Sequence, residues 1–291
     1  MKALFVTTDG TDPAGIISAW DYWNAEPAIR VKFEVVGTRV DGKILAAAEK
    51  FNPKVVFYIG GQDGNGQPTM ETLKKLKGSA KTIHICCDAT DGPWHPTLIE
   101  FRKNKCFDLQ VSVDGALHAP AIDMSTISPI NPRHYDVVPM PPRDTRCGFS
   151  GQYGMFTERE SLVVGLERLG LLKTRVRTMD RYDLYVDFMQ RCQLVFNVPL
   201  TGSATRMHVK GRAVETALAG AAILEMYGSP LDKWFPRESI FFYSRLEDAA
   251  KIINTASKNE IADKAALYHE VMRTKYDPQK VYGEMLNRVG L

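Results

Sequence analysis

Lys210, Arg212, Glu215 and Thr216 stand close together at the start of a segment whose apolar residues Val214, Ala217 and Leu218 recur at helical spacing. A helix opening there carries unpaired N–H groups and a partial positive charge at its first turn, and two cations beside them suit an anion such as a diphosphate. Glu215 can accept hydrogen bonds from sugar hydroxyls, and Thr216 adds a hydroxyl of its own. The chemistry of this stretch is that of a nucleotide sugar. Gly220 stops the helix, and an apolar strand follows over 221–224. His208 lies two residues ahead of Lys210, where it can add a donor. Asn197 closes an apolar strand over 193–197, and Gly151 sits in the loop Cys147-Gly148-Phe149-Ser150-Gly151-Gln152-Tyr153-Gly154.

The pattern Lys210-x-Arg212-x-x-Glu215-x-x-Leu218-Ala219-Gly220-Ala221, followed by Trp234-Phe235, Phe241-Phe242-Tyr243 and Leu246-Glu247-Asp248, resembles the C-terminal half of GT-B glycosyltransferases. It is most similar to their spore-maturation (CgeB-like) group. The resemblance covers residues 145–256 well and the first half only by architecture. It implies that Glu215 holds the ribose of a nucleoside-diphosphate sugar, for which a UDP-linked donor is expected, and that Lys210 and Arg212 hold the phosphates. It also implies that the backbone at Gly151 approaches the diphosphate. Many retaining members carry a second Glu eight positions before the first. Here that position is Met207, so a mechanism built on two glutamates does not carry over.

In the first half, short apolar runs at 3–7, 31–36, 55–59, 82–87 and 109–113 alternate with helical patterns, which predicts βαβ units and a parallel sheet. Ligands collect beyond the carboxyl ends of such strands. Asp9, in the loop after the first run, and Asp88 and His95, in the loop after the fourth, are therefore the catalytic candidates. Either aspartate could deprotonate an acceptor hydroxyl, while Asp91-Gly92-Pro93 is equally ordinary turn chemistry. The glycine-rich loop 60–66 lacks the order of a dinucleotide fingerprint. Tyr135 to Val138 reads as a last strand, and the proline-rich stretch 139–144 as a hinge.

The chain has 291 residues, enough for two domains, with 44% hydrophobic and 24% charged residues and a net charge of +3. That balance demands neither nucleic acid nor membrane as partner, and it leaves an anionic substrate comfortable. Five cysteines without a C-x-x-C pair predict free thiols in a reducing compartment, no metal site and a cytoplasmic protein. The absence of an Asp-x-Asp pair likewise points to no metal cofactor. The expected architecture is an α/β protein of two Rossmann-like domains: 1–142 for the acceptor, 143–275 for the donor, and 276–291 as a helix returning to the first. The expected activity is metal-independent sugar transfer to a hydroxyl of a glycan, small molecule, protein or hydroxymethylated DNA base; the alternative is a nucleotide-sugar-binding protein without catalysis. Oligomeric state is left open.

Overall fold

The computed structural model describes residues 1–8, 15–60, 64–151, 157–175, 181–201 and 206–291. The chain divides into two compact units, Met1–Asn131 with Pro278–Leu291, and Pro132–Asp277.

In the first unit β1 (Ala3–Thr8), α1 (Ile16–Trp23), β2 (Ile29–Phe33), α2 (Asp41–Phe51), β3 (Val55–Ile59), α3 (Met70–Ser79), β4 (Lys81–Cys86), α4 (His95–Lys103), β5 (Leu109–Ser112) and β6 (Met124–Ser125) follow in order. The strands form a parallel sheet in the order β2-β1-β3-β4-β5-β6. The alternation of a strand explains its two cores. Leu4 and Val6 join Val56, Tyr58, Ile44, Leu73 and Leu76 on one face, while Phe5 stacks on Phe57 at 4.7 Å and meets Trp20 on the other. The glycine loop after β3 is described at Gly60 and from Gly64 to Gly66; Gly61, Gln62 and Asp63 lie outside the described residues.

The second unit comprises β7 (Thr145–Ser150), α5 (Thr157–Arg168), β8 (Lys173–Arg175), α6 (Tyr182–Arg191), β9 (Cys192–Asn197), α7 (Gly211–Leu218), β10 (Ala222–Met226), β11 (Ile240–Tyr243), α8 (Leu246–Thr255) and α9 (Lys258–Lys275). Its parallel sheet runs β11-β10-β9-β7-β8. Phe149, Leu194, Phe196, Leu224, Tyr243, Ala249 and Ile253 fill the core. Counted from its own first strand, this sheet repeats the order of the first: strand two, one, three, four, five. The chain then ends in α10 (Pro278–Arg288), which belongs to the first unit. Its Tyr282 packs edge-on against Trp20 at 5.1 Å and donates to the carbonyl of Ile16.

One expected strand is absent. Residues 132–135 form a short 3-10 helix and 136–144 an irregular strap, whereas the sixth strand of the first sheet is the pair Met124–Ser125. Pro139, Pro141 and Pro142 remove the N–H donors a ladder needs, and Tyr135 is drawn inward, its hydroxyl 2.8 Å from that of Tyr182. All five cysteines are free. Among the described residues no helix is long and apolar enough to cross a membrane.

Candidate active site

In an open parallel sheet the crevice lies where the strand order reverses. In the second unit that point is between β7 and β9, which end at Ser150 and Asn197. Arg212, in the first turn of α7, joins the two ends. Its Nε donates to the carbonyl of Ser150 at 2.5 Å and its Nη1 to Asn197 Oδ1 at 2.8 Å, while the guanidinium lies 4.2 Å from the ring centre of Phe149. Gly151 makes room for it. With φ at +137° the residue occupies backbone space that side chains avoid, and a Cβ there would meet Arg212 Nη2 at 2.2 Å.

Asn197 is held from three sides. Its Nδ2 donates to Glu225 Oε2 at 2.7 Å, its carbonyl accepts from the Tyr243 hydroxyl at 2.9 Å, and its Oδ1 faces Arg212. Glu225, in β10, is buried, and burial pushes its carboxyl up to about 7 against the lowering effects of Asn197, Ser229 and Arg212. Arg159 of α5 is also buried and donates to the carbonyl of Leu200 at 3.1 Å. Burial, then the charge of Arg212, brings its guanidinium down to about 10. A buried cation and a half-buried one whose charge disfavours it, at the switch point of a sheet, are suited to an anion.

Helix α7 is placed by its ends. Lys210 is the half-buried residue before its first turn, in extended conformation. At the other end Gly220, with φ at +64°, donates to Ala217 O, and Ala221 to Thr216 O, a Schellman closure. Thr216 is fully buried and its hydroxyl donates to Arg212 O at 2.7 Å, one turn back in the same helix. His208 is buried, and its backbone N–H donates to Pro199 O.

Glu215 lies in the second turn of α7. Its side chain is directed inward, the residue is 1% exposed, and its two oxygens accept from Tyr182 at 3.0 Å and Tyr185 at 2.6 Å. The carboxylate ties α6 to α7. Tyr182 and Tyr185, three apart on one helix face, were open to a reading by spacing. Their pairing with Glu215 across about thirty residues of sequence was not. Glu225 carries a signal of its own, a charge inside the apolar run Ala222 to Met226.

In the first unit, Asp88 is half-buried in the turn after β4, and its carbonyl accepts from Asp91 N–H. The turn is anchored by Asp114, whose Oδ2 accepts from Thr90 N–H at 2.9 Å. His95 opens α4 and its Nε2 donates to Ala89 O at 3.0 Å, a bond that secures the same turn. Asp9 lies outside the described residues. The structure thus gathers Gly151, Asn197 and Arg212, sets Lys210 at the head of the same helix, and turns Glu215 and Thr216 inward.

Residues 158–287 match a family described as Glycosyl transferase-like. None of the curated proteins matches the chain in sequence. Among solved structures it is similar to Anabaena Alr3699/HepE in complex with UDP and glucose, at 13% identity over 99% of this chain and 98% of that one, with a TM-score of 0.66. It is also similar to an alpha-glucosyltransferase in complex with UDP-glucose and DNA containing an abasic site, at 9% identity over 100% of both chains and a TM-score of 0.64. OtsA in its apo form aligns at 11% identity over 100% of this chain and 99% of that one, with a TM-score of 0.65. The shared architecture is the GT-B fold of two Rossmann-like units.

Proposed function

We propose that this chain, a glycosyltransferase of the GT-B fold, moves a sugar from a UDP-sugar to an acceptor hydroxyl and holds the donor diphosphate at the switch point of its second unit. The observation that carries this reading is the convergence of Arg212 and Arg159 on that point beside the backbone of Gly151. As the glycosidic bond breaks, negative charge grows on the leaving diphosphate. Fixed guanidiniums and the first-turn N–H groups of α7 stabilise that charge more in the transition state than in the bound donor. Lys210, before the same turn, is placed in sequence to add a cation. The similar structures with UDP, with UDP and glucose, and with UDP-glucose support the base and the class of donor.

In this reading the reaction uses no metal, the cations doing the work of one. On the acceptor side Asp88 and Asp9 are the candidate bases for a reaction that inverts the anomeric centre. A glycan, a small molecule, a protein or a hydroxymethylated DNA base are the candidate acceptors, the last because one similar alpha-glucosyltransferase is complexed with DNA containing an HMU base. The test is UDP release from UDP-glucose in the presence of each acceptor class. Acceptor-dependent release that Asp88→Asn diminishes supports the reading. A protein that binds UDP-glucose but releases no UDP with any acceptor is the non-catalytic binder that Met207, in place of a second glutamate, would leave.

A further inference from the structure

Glu225 has no role in the donor reading, yet it is wired to the cation at its centre. Its Oε2 accepts from Asn197 Nδ2 at 2.7 Å, and the other end of the same amide, Oδ1, accepts from Arg212 Nη1 at 2.8 Å. An amide has one orientation that satisfies both bonds, so the carboxyl fixes Asn197 and Asn197 fixes Arg212. We propose that Glu225 is a positioning residue that takes up a proton when the donor diphosphate binds, so that the donor site changes its charge with its occupancy. This rests on the reading of Arg212 as a diphosphate ligand.

Charge balance argues for it. Among the described residues the switch point holds two guanidiniums, buried Arg159 and half-buried Arg212, and one buried carboxyl, Glu225, with half-buried Lys210 ahead of the helix. A sugar-linked diphosphate brings two negative charges to Arg212, the cation that favours the ionised form of Glu225, and so disfavours a further anion at the buried carboxyl beside it. The cheapest remedy is a proton from solvent, added to a carboxyl oxygen as the anion arrives and returned as it leaves.

The surroundings of Glu225 accommodate both forms. Asn197 on β9 only donates to it. Ser229, in the turn after β10, hydrogen-bonds the carboxyl through its hydroxyl, which can donate to a carboxylate or accept from a carboxylic acid while still accepting from Leu231 N–H. Arg212 on α7 is the cation that favours the ionised form. Tyr243 on β11 and Tyr268 on α9 face it with phenols pushed well above their ordinary range by burial and then by the charge of Glu225, so they stay neutral throughout. The carboxyl itself, brought up to about 7 by burial, is poised where a nearby anion converts it.

The experiment is calorimetric titration of UDP-glucose into the wild type and Glu225→Gln in two buffers of different ionisation enthalpy, at pH 7 and pH 8. Both phosphates of UDP-glucose are fully ionised there, so the protons counted belong to the protein. The expected result is proton uptake by the wild type, larger at pH 8, that Glu225→Gln lacks. In the wild type alone, affinity should fall with rising pH by about tenfold per unit at most, a readout that stands even where the variant folds poorly. Binding with the same proton count in both proteins, or with none in the wild type, overturns the coupling and leaves the donor site intact. A folded wild type that does not bind UDP-glucose overturns the donor reading and the coupling with it.

Discussion

Two buried titratable side chains, Glu225 in the second unit and His84 in the first, give the protein opposite responses to pH. Glu225 is raised from 4.5 to about 7 by burial, so between those values the native state holds a proton that the unfolded chain has released. The stability it contributes is full below pH 4.5 and is lost as pH rises through about 7, an order of ~3 kcal/mol. His84, fully buried with Nε2 donating to Gly60 O, is lowered from 6.5 to about 4 by burial. Its contribution is full above pH 6.5 and is lost as pH falls through about 4. Denaturant melts of Glu225→Gln against wild type at pH 5 and pH 8 should show the variant gaining relative stability at the higher pH. Glu215→Ala carries a different expectation: with two buried phenols losing their acceptor and a cavity left behind, unfolding free energy should fall by about 2–4 kcal/mol. Unchanged stability with weakened UDP binding would return Glu215 to the ribose.

At the scale of elements, two glycines separate positioning from folding. Gly151→Ala forces a Cβ onto the Arg212 guanidinium and strains a φ of +137°, so it should weaken UDP binding about tenfold or more and also cost stability. Gly220→Ala, at the Schellman closure of α7, should cost about 1 kcal/mol of stability and leave UDP affinity within twofold, as read by paired thermal melts and titrations. The alternation of apolar runs and helical patterns made nearly all strands and helices legible in the sequence, because each strand of a parallel sheet is buried on both faces. Tyr135 to Val138 was misread for the same reason: β-branched residues suggested a strand, while prolines and the pull of Tyr135 toward Tyr182 decide otherwise. Gly151, Asn197 and Arg212 could be singled out because helix starts and strand ends carry recognisable chemistry. The inward rotation of Glu215 and Thr216 could not, since the faces of α7 that are buried depend on α9, some fifty residues on, and on the tyrosines of α6.

For the whole molecule, two parallel sheets share one topology, and at the switch point of the second Arg212 lies near enough to Arg159 for its charge to be felt there. The metal-free account predicts that a chelator leaves the rate of sugar transfer unchanged; loss of rate in EDTA, restored by Mn²⁺, would contradict it. The most direct test of the central claim is the affinity of UDP for the wild type and for Arg212→Ala, measured by calorimetry on proteins shown to be folded. Removing a charge-assisted contact to the diphosphate should weaken binding by about 10- to 100-fold. A folded Arg212→Ala that binds UDP as tightly as the wild type would place the donor elsewhere.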